Sequence, residues 1–128
     1  AQLELPAAER RIGELLGVRF SRAELLRLQA AAFTVRPEML RLARRIARLT
    51  SVGILTNNAP LLKEAVPLHL PELARVFDPI LYSFELGHPK PERALYEGVC
   101  ARLGLEPGEI FFADDQESHV RAARELAR

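Results

Sequence analysis

The chain is poor in several residues that small proteins lean on. Of its 128 residues one is cysteine, Cys100, one is methionine and none is tryptophan. A single thiol excludes an internal disulfide and a multi-cysteine metal site. Cys100 falls on an apolar helical stripe and reads as packing filler. Lysine occurs only at Lys63 and Lys90, so arginine supplies nearly all of the 18 basic residues. That bias fits genome composition or a preference for stable ion pairs, and does not by itself point to function. Neither sign of charge is in excess. With 17 acidic residues the formal net charge is +1, which removes the electrostatic case for nucleic acid or an anionic membrane. No apolar run approaches the roughly 18 residues of a spanning helix, and no secretory signal is visible. What is present is apolar bulk: 48% of the residues are hydrophobic, enough for one real core at this length. The expectation is a soluble, cytoplasmic protein.

Residues 1 to 33 read as helical. Pro6 suits a first helical turn. Ile12, Leu15 and Leu16 make an i, i+3, i+4 stripe that closes near Gly17. Ser21 followed by Glu24 is a capping box for a second helix through Leu25, Leu26, Leu28 and Ala32. Pro37 to Leu49 is amphipathic, with Met39, Leu40, Ala43, Ile46 and Ala47 on one face and Arg41, Arg44, Arg45 and Arg48 on the other. At balanced total charge the arginine row reads as a water-facing surface rather than a phosphate-backbone contact.

A strand-helix alternation follows. Ser51 to Thr56 reads as a short apolar strand, and Asn57, Asn58, Ala59 and Pro60 lead into the next helix. Leu61 to Phe77 is helical, broken by Pro67 and Pro71. Pro79 to Phe84 reads as a second strand. Pro89 and Pro91 then frame Lys90 and stiffen the loop that carries it. His88 beside it is open to a ligand or base role but is more commonly incidental in such a loop. Glu92 to Leu103 is a helix with Tyr96, Val99, Cys100 and Leu103 inward, stopped at Gly104. Ile110, Phe111, Phe112 and Ala113 then run straight into Asp114 and Asp115, the pattern of a buried parallel strand ending in two acids. The closing helix is Glu117 to Ala127, with Val120, Ala123 and Leu126 inward and His119 in its first turn. Alternation of this kind predicts an α/β fold, a Rossmann-like parallel sheet with flanking helices.

Two adjacent carboxylates repel and are costly to desolvate unless a cation sits between them. Asp114 or Asp115 as a plain helix cap is the competing explanation. The other strand ends weigh against it. Thr56, Lys90 and the acid pair lie at the ends of successive strands, which share one edge in a parallel sheet. A hydroxyl with nearby backbone N–H groups, a rigid cation and paired carboxylates suit a phosphoryl group and a Mg²⁺ ion.

Three segments carry a family likeness. GILTNN, GHPKPERALYEGV and IFFADDQESHVRAAREL resemble, in order and spacing, the second, third and fourth motifs of the haloacid dehalogenase-like (HAD) hydrolase superfamily, in its subgroup with a small helical cap. The likeness spans about residues 37 to 127. It implies Thr56 and the N–H of Asn57 on a phosphate, Lys90 on phosphate and nucleophile, and Asp114 with Asp115 at Mg²⁺. It implies a partial helical cap over residues 1–35 and an incomplete α/β core over 36–128, lacking a first and a last strand. The substrate implied is a small phosphate monoester, hydrolysed through an aspartyl-phosphate. The family's first motif, an apolar strand ending in an aspartate nucleophile, has no counterpart here: Glu4, Glu9 and Glu14 are helical and no strand precedes them. His119 stands where relatives often carry Asn. The expectation is therefore that the nucleophile lies outside these residues, and that the 128 residues alone are inactive and belong to a longer polypeptide. A non-catalytic regulatory or binding module on the same fold and a C–halogen hydrolase are the alternatives. A receiver domain uses similar residues but in the opposite order.

Overall fold

The computed structural model describes residues 5–128; Glu4 lies outside them. The described residues divide into two compact units, one running up to Ile54 and including Asn58–Ile80, the other Leu55–Asn57 with Leu81–Arg128. The architecture is a helix-rich α/β fold with a small parallel sheet. Strands β1 (Ile54–Thr56) and β2 (Ile80–Tyr82) are its two members among the described residues.

The first unit is built on helices. α1 (Leu5–Leu16) closes at Gly17, whose φ of 65° is the left-handed turn that glycine adopts freely. α2 (Arg22–Ala31) opens on the capping box read from sequence: the Glu24 N–H donates to the Ser21 hydroxyl and the Ser21 N–H to the Glu24 carboxylate. α3 (Pro37–Ile46) and α4 (Pro60–His69) both start on proline, where a missing N–H costs no helical bond. α5 (Pro71–Val76) does the same. The apolar centre is α2 against α4, with Leu25, Leu26 and Ala30 meeting Leu62, Ala65 and Val66, all buried. Ahead of β1, the Asp78 N–H donates to the Val52 carbonyl and the Ile54 N–H to the Pro79 carbonyl. Gly53 is required there, since a Cβ would stand 2.7 Å from the Pro79 oxygen.

The second unit holds α6 (Ser83–Leu86), α7 (Arg93–Leu103) and α8 (Glu117–Leu126), with α7 packed on both neighbours. Leu95, Tyr96 and Val99 on α7 are its buried centre. Gly104, at φ 66°, stops α7 where the sequence predicts.

Four expectations need correction. The stretch from Ile110 to Asp115 is not a strand: Ile110 is extended, but no ladder forms along the segment, and Phe111 is 95% exposed rather than buried. A strand is made by its neighbour's hydrogen bonds, and apolar content alone does not supply one. Pro79 to Phe84 is strand only to Tyr82, then turns helical at Ser83. Pro67 does not break its helix, because α4 runs one short stretch further to His69 and the break falls at Leu70, before Pro71. The stripes on α1 and α3 are only partly covered: Leu15, Leu16, Met39 and Ile46 are exposed, and Ala43 is the buried residue of α3.

Candidate active site

All five residues singled out by sequence belong to the second unit. Thr56 ends β1 and is half-buried, and Asn57 follows it. The Lys90 loop is set by α6, which ends at Gly87 in the left-handed region (φ 78°), and by a turn in which the Glu92 N–H donates to the Pro89 carbonyl. Asp114 and Asp115 lead into α8.

The structure joins three of these residues directly. The Asn57 side chain grips the backbone of Lys90 from both sides: its Nδ2 donates to the Lys90 carbonyl at 3.1 Å, and its Oδ1 accepts the Lys90 N–H at 2.8 Å. The Lys90 ammonium in turn donates to Asp114 Oδ2 at 2.6 Å. Both side chains of that ion pair are sequestered, at 11% and 8% exposure. The lysine Nζ also lies 5.9 Å from the centre of the Phe112 ring, within cation–π range. Phe112 meets Tyr96 edge-on at 5.7 Å. Asp115 is exposed, as a carboxylate presented to solvent ions would be.

Sequence reading missed one member. His119 is buried, and its Nδ1 lies 3.0 Å from Asp114 Oδ1. A carboxylate only accepts, so Nδ1 carries the proton in this contact. The Gln116 N–H donates to the same oxygen at 2.9 Å. The Tyr96 hydroxyl donates to the His119 carbonyl at 3.0 Å, tying α7 to the first turn of α8. The available signal was position: in the first helical turn after an acid pair, a side chain reaches back to the residues before the helix.

The electrostatics follow from this packing. Burial pushes the Asp114 carboxyl upward, but the Lys90 ammonium, the Gln116 N–H and the His119 ring outweigh it and bring it to about 2 from an ordinary 3.8. Burial, and then the Asp114 charge, push the Tyr96 phenol up, so it stays a donor. His88 is drawn instead to Glu92, 2.8 Å away on the exposed side of the loop. One open hollow of about 570 Å³ lies along α1, lined by Glu9, Gly13, Val18 and Phe20 among others, and none of the five residues lines it.

Among the described residues no three His, Cys, Asp or Glu side chains gather as a ready metal cage. Mg²⁺ does not need one. It takes one or two carboxylates and completes its shell with water and phosphate oxygens. An exposed Asp115 next to an ionised Asp114 fits that modest demand.

Comparison with known proteins gives the family. The chain belongs to the haloacid dehalogenase-like hydrolase family, whose sequence model matches residues 4–126. It is 32% identical over 109 residues to Phosphatase MT3486 of Mycobacterium tuberculosis, covering 81% of this chain and 49% of that protein. It is 29% identical over 118 residues to bifunctional epoxide hydrolase 2 of Rattus norvegicus, covering 89% of this chain and 21% of that one. The chain thus spans about half the length of the first relative and a fifth of the second. Its fold matches a HAD family enzyme of Bacteroides thetaiotaomicron, crystallised as an aspartate-to-alanine mutant with magnesium and inorganic phosphate. There the TM-score is 0.77 at 24% identity, covering 97% of this chain and 67% of that one. Among the described residues no helix is long and apolar enough to cross a membrane.

Proposed function

We propose that these residues form the phosphate- and metal-binding part of a Mg²⁺-dependent phosphatase acting on small phosphate monoesters. The observation that carries this reading is the sequestered Lys90–Asp114 pair, with Lys90 also gripped through its backbone by Asn57. A cation fixed at both ends is preorganised to meet charge that builds on a transferring phosphoryl group. Thr56 and the Asn57 N–H, at the end of β1, would hold phosphate oxygens. Asp115, with Asp114 behind it, would hold Mg²⁺, which neutralises phosphate charge when bound. The 32% identity to a protein named a phosphatase supports this activity over carbon–halogen hydrolysis.

The nucleophilic carboxylate is assigned to a segment outside these 128 residues, as is the completion of a helical cap over residues 1–35. The test is calorimetric titration of inorganic phosphate with and without Mg²⁺, on the wild type and on Lys90→Met. The expected result is Mg²⁺-enhanced binding that K90M loses. Equal binding by both proteins would overturn the assignment. Hydrolysis of a phosphate monoester panel by these residues alone would overturn the placement of the nucleophile. Phosphate binding without turnover by a longer chain that carries an aspartate nucleophile motif would instead favour a regulatory module.

A further inference from the structure

We propose that His119 is a positioning residue: its Nδ1–H locks the Asp114 carboxylate in the plane that aims Oδ2 at the Lys90 ammonium. The inference rests on the reading of Lys90 as the phosphate-facing cation, and extends it to a residue outside the predicted set.

The terminal torsion of an aspartate is broad and soft. A lysine amine sits on a flexible four-carbon stem. An ion pair between two such groups has no preferred direction unless something else sets it. Here Asp114 Oδ1 receives two donors from the start of α8, the Gln116 N–H and His119 Nδ1. Those two bonds define the carboxylate plane and leave Oδ2 for Lys90. The imidazole is itself held, since its side chain is 8% exposed and the carbonyl of the same residue accepts the Tyr96 hydroxyl. Phe112 lies beneath the ammonium and against Tyr96. The order of support therefore runs from Tyr96 through His119 and Asp114 to Lys90. Gln116 contributes a main-chain donor that no side-chain change removes, so His119 is the adjustable member of the pair.

The chemistry makes a sharp distinction among replacements. Asparagine can place an amide N–H where Nδ1 stands. Glutamine places its amide further out, and leucine fills the space with no donor. The experiment exploits the scarcity of lysine. With Lys63 and Lys90 the only two, a ¹H–¹⁵N spectrum of side-chain ammonium groups holds at most two signals, and Lys63→Arg assigns them. An ammonium held in a sequestered ion pair exchanges its protons slowly. We expect His119→Leu and His119→Gln to speed Lys90 exchange by about fivefold, the equivalent of one net hydrogen bond. His119→Asn should stay within about twofold of wild type, the spread of such contributions. If H119N exchanges as fast as H119L, or if H119L and H119Q leave exchange unchanged, the proposal is overturned. Should H119L not fold, the contrast of H119Q with H119N still decides. Adding inorganic phosphate to the wild type separates the two readings. A Lys90 signal indifferent to phosphate counts against the phosphatase assignment, while the order among the His119 variants still tests the positioning role.

Discussion

Each unit of the molecule carries a lysine– or arginine–carboxylate contact between distant parts of the chain, and the two are unlike in kind. In the helical unit Arg22 reaches Glu64 on α4 and Glu9 on α1, with 46% of the arginine, 34% of Glu64 and 22% of Glu9 in solvent. In the site-bearing unit Lys90 and Asp114 keep 11% and 8%. Exposed pairs are screened and contribute little, because water serves each partner nearly as well. Sequestered pairs have given up that water and depend on each other. The difference teaches where charge is ornamental to the fold and where, on the proposed function, it is held for chemistry. In the helical unit, stability comes from the leucines and alanines between α2 and α4. In the other unit, a polar network sits where a purely structural core would have placed more apolar side chains.

The strongest way to break the comparison is Asp114→Asn. It leaves a sequestered ammonium without its counter-charge, and should cost about 3–5 kcal/mol by urea denaturation. The paired replacement Lys90→Met with Asp114→Leu should recover most of that loss while abolishing phosphate binding, because a well-packed apolar pair is often as stable as the ions it replaces. A double variant as unstable as D114N would mean the site is also a packing keystone.

Acid should reproduce part of this effect without mutation. Asp114 is depressed to about 2 from 3.8. A carboxyl depressed in the folded state contributes stability that is fully present above 3.8 and is lost as pH falls toward 2. The shift corresponds to about 2 kcal/mol. Urea midpoints measured across that interval should fall in the wild type, and fall less steeply in D114N.

Next in size is Asn57→Ala. It removes both side-chain bonds to the Lys90 backbone and should cost about 1–2 kcal/mol. Phosphate affinity should drop by more than the loss of stability alone would produce, as a titration at fixed Mg²⁺ would reveal. At the small end, Arg22→Ala should lower the urea midpoint by less than Asn57→Ala does, since the arginine is half in solvent although it faces the buried Oε1 of Glu9. A drop as large as that of D114N would erase the contrast between the two units.

Much of the site was legible because its parts sit at punctuation. Lys90 between two prolines, Thr56 before a proline-led helix and the acids before a helix start are local signals, and the capping box at Ser21 and Glu24 is of the same sort. What was not legible depends on partners distant in sequence. Whether Ile110 to Asp114 is a strand depends on the segment beside it, not on its own residues. The exposed Leu15, Leu16 and Met39 carry a helical stripe that the rest of the described chain does not cover. The Asn57 side chain was read through its backbone N–H alone, because a bond to a residue 33 positions away has no local trace. For His119 the sequence shows its place in the first helical turn, five residues after Asp114, but the fold alone brings Tyr96, 23 positions away, onto its carbonyl.

The bare ring of Phe111 has a practical consequence. Two adjacent residues have opposite fates: Phe112 is tucked against Tyr96, and Phe111 stands 95% in water. A bare aromatic side chain on a segment with no ladder is adhesive toward other copies of itself. Concentrated stocks of this polypeptide will therefore cloud before dilute ones do. A lysine in place of that phenylalanine is the first change to make for anyone who needs the protein at crystallisation strength.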